Sequence, residues 1–233
     1  MNALSVKDLS VSIDGNNILR NISFDVTKGS IAAIIGPNGS GKTTLFRSIL
    51  DLIPYTGSVK IFNKPVTQTL DRVGYVPQRM EFDRTLPITV REFLALSTKN
   101  AKDMDGKICK EVRIELLLDK LVGQLSGGQL QRVLIAAALM KKPDILFLDE
   151  ASAGIDIEGT RLFHELIDHL KNEHGTTILM ISHEIEMVSH IADTVICLNR
   201  DLVCNGPPHT ALTKEVMEQL YGEKVKHRPH EHL

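Results

Sequence analysis

Several features are scarce in this 233-residue sequence, and their scarcity excludes several classes of protein. The net charge is only −2, so no strong field favours nucleic acid, and the sequence predicts no nucleic-acid partner. Apolar runs such as residues 133–140 fall far short of the roughly 20 residues that a membrane span needs. Residues 1–5 lack the basic and apolar regions of a signal peptide. Any membrane role is therefore expected to come through a partner.

Cysteine is scarce as well. Cys109, Cys197 and Cys204 form no CxxC pair and are odd in number, which is typical of thiols in a reducing cytosol. We interpret Cys197 and Cys204 as small strand residues, not ligands. The rest of the composition, 42% hydrophobic and 24% charged, is ordinary for a soluble globular protein. The length suits one large α/β core, alone or with one inserted subdomain.

A glycine-rich stretch follows an apolar run at residues 30–35 and precedes helical apolar spacing at residues 43–50. It fits the phosphate-loop pattern of Gly, four free residues and Gly-Lys-Ser/Thr. Its glycines let backbone N–H groups turn toward a polyphosphate at a helix N-terminus. Lys42 is predicted to reach the β/γ-phosphates and the Thr43 hydroxyl to bind Mg²⁺. The predicted nucleotide-binding residues, here called the phosphate loop, are Gly36, Pro37, Asn38, Gly39, Ser40, Gly41, Lys42, Thr43 and Thr44.

The order of apolar patterns predicts an α/β fold. Alternating residues at 4–13, a turn at 14–17 and a return strand at 18–26 begin the chain. Helical patterns occupy residues 79–140, and strands alternate with helices after that, which implies a mostly parallel sheet. We predict one domain at 1–224, with a helical subdomain at about 79–140 inserted in the core. The His-containing polar tail at 225–233 is predicted to be disordered.

Two further elements complete a candidate catalytic set. Asp149 and Glu150 end a nearly continuous apolar run, the position where Mg²⁺ is held beside a phosphate loop. Asp149 is the predicted Mg²⁺-side carboxylate, and Glu150 is placed to polarise a water in line with the γ-phosphate. The stretch Leu125-Ser126-Gly127-Gly128-Gln129, here called the second glycine loop, opens another helix. Its exposed N–H groups, with Ser126 and Gln129 as added partners, predict a second anion site.

Together these motifs resemble the nucleotide-binding subunits of ABC transporters, over roughly residues 3–221. The resemblance implies the fold of a P-loop NTPase (RecA-like), with a mostly parallel core, an N-terminal antiparallel β subdomain and an inserted α-helical subdomain. The family's functional positions are matched in order by Lys42, Gln78, Ser126 to Gln129, Asp149-Glu150, Asp156 and His183.

The resemblance implies a homodimer that holds two ATP molecules. The second glycine loop of one chain would cap the γ-phosphate on the phosphate loop of the other, through Ser126, Gly127, Gly128 and Gln129. Gln78 would touch Mg²⁺ or the attacking water, His183 would bond the γ-phosphate and hold Glu150, and Asp156 would order the dimer seam. Catalytic roles are thus expected for Glu150, His183, Gln78 and Lys42, with Thr43, Gln78 and Asp149 around Mg²⁺.

Two positions depart from the family's pattern. Ile13 stands where an aromatic residue usually stacks on adenine, which predicts a weaker grip on the base, since such stacking is worth about 1 kcal/mol. After Glu150 the chain reads Ala151-Ser152-Ala153-Gly154-Ile155-Asp156, where a Pro-Thr pair is usual. The aspartate is kept, so we expect this variation to be tolerated.

Several details are similar to the ATP-binding subunits of bacterial zinc/manganese importers, among them the compact segment 59–76 and the His-bearing C-terminus. This likeness implies a peripheral protein on the cytoplasmic face of the inner or plasma membrane. Its partners would be integral membrane permease subunits, docked near Gln78 to Phe93 with the apolar Phe82, Leu86 and Ile88. An extracytoplasmic metal-binding protein would take part indirectly.

The histidines leave some alternatives open. In the tail, His227, His230 and His232 suit either a Zn²⁺ sensor or a plain solvated end. His164, His169 and His174 recur every five residues, a spacing that predicts no shared helical face and no metal site.

Three other functions remain possible: an ABC transporter ATPase for another substrate, a soluble ABC ATPase of iron–sulfur cluster assembly, and a nucleotide-binding regulator without turnover. The presence of both Glu150 and His183 disfavours the regulator.

Overall fold

The computed structural model describes residues 1–78, 85–97, 106–151 and 157–222 and confirms the predicted α/β class. The strands are β1 (Asn2–Ile13), β2 (Asn16–Thr27), β3 (Ile31–Ile35), β4 (Thr56–Ile61), β5 (Lys64–Pro65), β6 (Val73–Val76), β7 (Ile145–Asp149), β8 (Thr177–Ile181), β9 (Thr194–Asn199) and β10 (Asp201–Gly206). The helices are α1 (Lys42–Ile49), α2 (Val90–Leu96), α3 (Gly106–Glu111), α4 (Gly127–Leu139), α5 (Ile157–His174), α6 (Ile185–Ile191), α7 (Pro208–Ala211) and α8 (Lys214–Tyr221).

A six-stranded sheet in the order β10-β9-β3-β8-β7-β6 forms the centre of the molecule. All of its neighbouring strands pair in parallel except β9 and β10. Every residue of β3, β7 and β8 is buried, which explains why their sequences are continuous apolar runs. The carboxyl ends of β3, β6, β7 and β8 consequently lie at one edge of the sheet, where ligands bind in such folds.

A second sheet is antiparallel, in the order β2-β1-β4-β5. Its first hairpin turns at Asp14 and Gly15, both with positive φ (49° and 77°), as in tight two-residue turns. The turn is shorter than the predicted 14–17, because β2 already begins at Asn16. This sheet and α1 share one hydrophobic core with alternate β3 residues such as Ile34. The other β3 residues face a second core formed with α2 to α6. The central sheet is thus covered on both faces.

The segment between β6 and β7 carries α2, α3 and α4. Thr89 caps α2, because its hydroxyl accepts from the Glu92 N–H while the Glu92 carboxylate accepts from the Thr89 N–H. The amphipathic segment at 108–117 is not one continuous helix: α3 ends at Glu111, and Arg113 adopts a left-handed φ of 56°. The division into a core and an inserted helical subdomain stays a prediction.

Residues 208–221 form two short helices, α7 and α8, and not one continuous helix. The break occurs because the Thr213 hydroxyl accepts from the Val216 N–H and caps α8 anew. The tail at 225–233 lies outside the described residues. Among those that are described, no helix is both long and apolar enough to cross a membrane.

The cysteines also differ from the expectation of thiols. Antiparallel pairing of β9 and β10 sets Cys204 opposite Cys197, and the two form a disulfide across the strands. Cys109 is buried and free. Spacing along the chain could not reveal this pair, because it depends on the register of two strands.

Candidate functional site

The phosphate loop joins the end of β3 to the start of α1, and its glycines are required by close backbone contacts. A Cβ atom on Gly36 would lie 2.0 Å from the Leu198 carbonyl oxygen, and one on Gly41 would lie 2.6 Å from Leu19 Cδ2. Gly41 also has a left-handed φ of 100°. The loop is held from outside by the Arg200 N–H, which donates to the Ser40 carbonyl at 2.9 Å. Its curved backbone is therefore fixed before any ligand binds.

Lys42 lies inside this loop. Its ammonium donates to the carbonyl oxygens of Gly36 (2.9 Å) and Pro37 (3.0 Å), and the residue is 5% exposed. Burial lowers the pKa of Lys42, and the negative charges of Glu150 and Asp149 partly oppose that shift. A buried cation with only carbonyl partners at close range is well suited to an incoming polyphosphate.

Asp149 is the buried carboxylate of the site, at the end of β7, and is 1% exposed. Thr43 Oγ1 lies 3.5 Å from its Oδ1. Desolvation raises the pKa of Asp149, the charge of Glu150 raises it further, and hydrogen bonds from Thr43 and Tyr75 lower it. A hydroxyl and a buried carboxylate form an oxygen donor set of the kind that Mg²⁺ prefers. The residues present fit that ion.

The raised pKa of Asp149 gives a test by pH. The folded chain holds a proton on Asp149 more readily than the unfolded chain, so this group costs stability as pH rises from its ordinary value of 3.8 through the folded value. We expect Asp149→Asn to raise the thermal midpoint, Tm, of the nucleotide-free chain at neutral pH. The gain should shrink toward zero at and below pH 3.8.

The measurement is thermal unfolding of both chains across that pH range. Asp168→Asn, on the exposed face of α5, serves as the control and should change Tm little, as surface substitutions usually do. A constant Tm difference between wild type and Asp149→Asn at every pH would contradict the assigned desolvation.

Glu150 follows Asp149 and adopts a left-handed backbone with a φ of 50°. This conformation is uncommon for a residue with a side chain, and such strain is typical of functional positions. The His183 Nε2 atom lies 2.8 Å from Glu150 Oε1, and the Gln78 amide donates to Glu150 Oε2. Gln78 follows β6 and His183 follows β8, so three parallel strand ends converge on one carboxylate. The Glu150 side chain is 15% exposed, so it is partly buried and still accessible from solvent.

One cavity connects Lys42, Gln78, Glu150 and His183, whereas Asp149 is not among its lining residues. It is lined by the phosphate loop residues Asn38, Gly39, Gly41, Lys42, Thr43 and Thr44 together with Ile18, Gln78, Glu150 and His183. The sequence predicted all of these except Ile18. Ile13, proposed for the adenine, is 45% exposed at the end of β1 and does not line this cavity. The sequence offered one signal that could have identified Ile18 as a cavity residue: it lies at the start of the strand that returns from the apolar hairpin. Asp156 lies outside the described residues.

The second glycine loop lies elsewhere in the chain. Ser126 caps α4: its hydroxyl accepts from the Gln129 N–H at 3.3 Å, and the Gln129 amide oxygen accepts from the Ser126 N–H at 3.2 Å. The side chains of Ser126 and Gln129, which were predicted to be hydrogen-bond partners of an anion, thus hydrogen-bond within the loop itself. The loop lines a different cavity, with Arg113, Arg132 and Phe163. Among the described residues of one chain, the cavity lined by the phosphate loop and the cavity lined by the second glycine loop have no lining residue in common.

The histidines of α5 correct another expectation. His169 and His174 were predicted to point to different faces, since five residues correspond to about 140° of helix rotation. Their ring centroids nevertheless lie 5.5 Å apart, because His174 is the last residue of α5 and both rings turn toward Glu111. His164 is not part of this group and lines a cavity together with His190. The prediction was wrong for His169 and His174.

Comparison with known proteins agrees with this geometry. Residues 19–153 match the family model described as ABC transporter. The chain is 41% identical over 223 residues to the Zinc import ATP-binding protein ZnuC of Jannaschia sp. (strain CCS1), covering 95% of this chain and 89% of that protein. It is also 41% identical over 220 residues to the protein of the same name from Buchnera aphidicola subsp. Baizongia pistaciae (strain Bp), covering 94% and 90%.

A solved structure with the same arrangement is cbiO1 from Clostridium perfringens, described as part of the ABC transporter complex cbiONQ. Its TM-score is 0.80 at 27% sequence identity, with 96% of each chain covered. The likeness therefore extends over nearly the whole of both chains.

Proposed function

The chain belongs to the ABC transporter family as an ATP-binding and ATP-hydrolysing subunit, and on that premise we propose that it powers zinc uptake through a membrane permease. The assignment of zinc as the transported substrate rests on relatives that are named as zinc importers and align with nearly the entire chain. The substrate of the transporter is distinct from the ATP that this chain hydrolyses.

In the proposed hydrolysis, Glu150 accepts a proton from the attacking water. The support is its position: the side chain is partly buried, at 15% exposure, and is held by His183 and Gln78 from two other strand ends. Because both oxygens of the carboxylate are held, its direction is set before substrate arrives. His183 positions Glu150 and is proposed to bond the γ-phosphate as well. Lys42 would exchange its two carbonyl partners for phosphate oxygens.

Mg²⁺ would be held by Thr43 and Asp149, with Gln78 nearby, and would neutralise charge on the phosphate oxygens. The support is the short approach of the Thr43 hydroxyl to a buried carboxylate. A cation there would also offset the unfavourable proximity of Asp149 to Glu150, whose charge raises the pKa of Asp149.

A second copy of the chain is proposed to complete each ATP site. The second glycine loop lies exposed at Ser126 and Gly127 and lines a cavity apart from the phosphate loop. A head-to-tail dimer would bring the free N–H groups at the start of α4 to the γ-phosphate bound by the partner. Asp156 keeps its proposed role at this seam.

The permease is proposed to dock near Gln78 to Phe93, which would hold the chain at the cytoplasmic face of the membrane. Leu86 is 52% exposed, as a contact residue would be. Ile88 is a weaker candidate, because it packs partly against the hydrophobic core. Phe82 lies outside the described residues. An extracytoplasmic metal-binding protein would deliver the zinc ion to the permease.

The decisive experiment is uptake into vesicles. The chain is co-expressed with candidate permeases, and the complex is reconstituted with Mg-ATP on the side of the chain and the extracytoplasmic metal-binding protein on the opposite side. Zinc accumulation on the side of the chain is followed with a fluorescent indicator. We expect zinc uptake that requires ATP and is abolished by Glu150→Gln. Transport of a different substrate in preference to zinc would contradict the proposal. Purification without any permease would favour the soluble iron–sulfur assembly alternative.

A further inference from the structure

A group of metal-ligating side chains lies away from the nucleotide cavity, where α3 meets α5. Glu111 is the last residue of α3, and His169 and His174 lie on the last turns of α5. His169 Nε2 is 3.5 Å from Glu111 Oε1, and His174 Nε2 is 3.2 Å from Glu111 Oε2. Potential ligand atoms of all three residues lie within 4.8 Å of one another.

Two atoms of this group are buried without a hydrogen-bond partner among the described residues: Glu111 Oε1 and His169 Nε2. They face each other, yet their contact lacks hydrogen-bond geometry. The Glu111 side chain is only 11% exposed. Leaving a buried carboxylate oxygen and an imidazole nitrogen unpaired is costly. A cation placed between them would satisfy both.

The distances and the ligand types suit a zinc-like ion. Bonds of about 2.0–2.2 Å from Zn²⁺ to nitrogen and oxygen place tetrahedral ligand atoms about 3.3–3.5 Å apart. Each Glu111 oxygen lies near that distance from one imidazole: Oε1 is 3.5 Å from His169 Nε2, and Oε2 is 3.2 Å from His174 Nε2. The second contact is a hydrogen bond, which the metal ion would replace. Two imidazoles and one carboxylate are a common protein set for Zn²⁺ with an open fourth position. Mg²⁺ and Ca²⁺ prefer all-oxygen sites.

We propose that Glu111, His169 and His174 bind a divalent transition-metal ion of the zinc class. Lys107 is the competing charge, with its ammonium 3.7 Å from Glu111 Oε1, but its side chain is 73% exposed and can move into solvent. Protonated histidines would be the other way to neutralise Glu111, and they would bind no metal.

The site joins two parts of the chain. Next to it, Arg113 pairs with Glu165 of α5 at 3.2 Å, and Arg132 of α4 donates to the Arg113 carbonyl at 3.1 Å. A metal ion would add a bond between α3 and α5 at the same junction. It would therefore stabilise the position of α4, whose first residues form the second glycine loop.

The test is zinc titration of the full chain by calorimetry, without nucleotide or permease. Because the tail histidines can also bind metal, His227, His230 and His232 are first replaced by alanine, and this tail variant is the reference. We expect it to bind one Zn²⁺ and to show a higher Tm with Zn²⁺ but not with Mg²⁺. Adding His169→Gln and His174→Gln should weaken binding by more than about 100-fold, beyond the 10–100-fold typical of losing an outer-shell partner.

Two further variants keep the result clear. His164→Gln is the matched control, because His164 is on the same helix and its Nε2 is likewise buried without a partner in the described part of the chain; it should bind Zn²⁺ normally. Glu111→Gln preserves the shape of the side chain and should still lose the metal. The proposal is overturned if the tail variant binds no stoichiometric zinc, if the double histidine variant binds equally well, or if His164→Gln loses binding too. None of these outcomes depends on zinc transport.

Discussion

Replacing Glu150 with glutamine is expected to lower kcat for ATP hydrolysis by about 10²–10⁴-fold, the range that general-base assistance contributes. The amide has the same shape but cannot accept the proton of the attacking water. Its contacts change little, since Gln78 and His183 lie on either side of the side chain and can adapt to an amide. Binding of ATP should persist, because the phosphate loop is unchanged. Steady-state hydrolysis and equilibrium nucleotide binding measure the two effects separately.

A matched control for this substitution is Glu184→Gln. Glu184 lies next to His183, but it lines a separate cavity beside His164 and does not contact the nucleotide cavity. Its hydrolysis rate should stay close to that of the wild-type chain. If Glu150→Gln hydrolysed ATP as fast as the Glu184→Gln control, Glu150 would not be the general base.

Replacing Lys42 with methionine is expected to weaken ATP binding by at least about 30-fold in Kd. Methionine keeps most of the stem and removes the ammonium. Truncating a buried, hydrogen-bonded charge at an interface costs about 2–5 kcal/mol, and the site would lose its cation at the β/γ-phosphates. The nucleotide-free fold should survive, because burial already disfavours the charged form and lowers the pKa of Lys42.

Fluorescent-nucleotide titration measures this loss, and thermal unfolding without nucleotide verifies the fold. Lys7→Met, an exposed change on β1, should bind ATP as the wild-type chain does. Near-normal affinity in Lys42→Met would mean that the ammonium stays with the carbonyls of Gly36 and Pro37 and does not move to phosphate.

The local parts of the site were predictable because their physics is local. The phosphate loop requires glycine where a Cβ atom would clash with the backbone, as at Gly36. This requirement is visible in the sequence as the characteristic spacing of the glycines. The Thr89 and Ser126 caps follow from residues three positions apart. Strand ends such as Asp149 are marked by the end of an apolar run, and parallel pairing then brings them together.

The missed features depend on contacts that spacing cannot show. The disulfide of Cys197 and Cys204 requires the register of β9 and β10. The convergence of His169 and His174 depends on where α5 ends and on a carboxylate 58 or more residues earlier in the chain. The chain leaves the helical conformation after α3, and Arg113 adopts a left-handed backbone, although the surrounding sequence is compatible with a helix. In each case tertiary structure overrides the local signal.

The central claim is that ATP is held between the phosphate loop of one copy and the second glycine loop of another. The most direct measurement is the molar mass of the Glu150→Gln chain in solution, by light scattering, with and without ATP. We predict a monomer without ATP and twice that mass with it, because the bound ATP is not consumed. Adding Gly128→Glu, which places a negative charge against the γ-phosphate, should keep ATP binding and restore the monomer. A chain that stays monomeric with ATP bound, or that dimerises regardless of Gly128→Glu, would contradict the shared site.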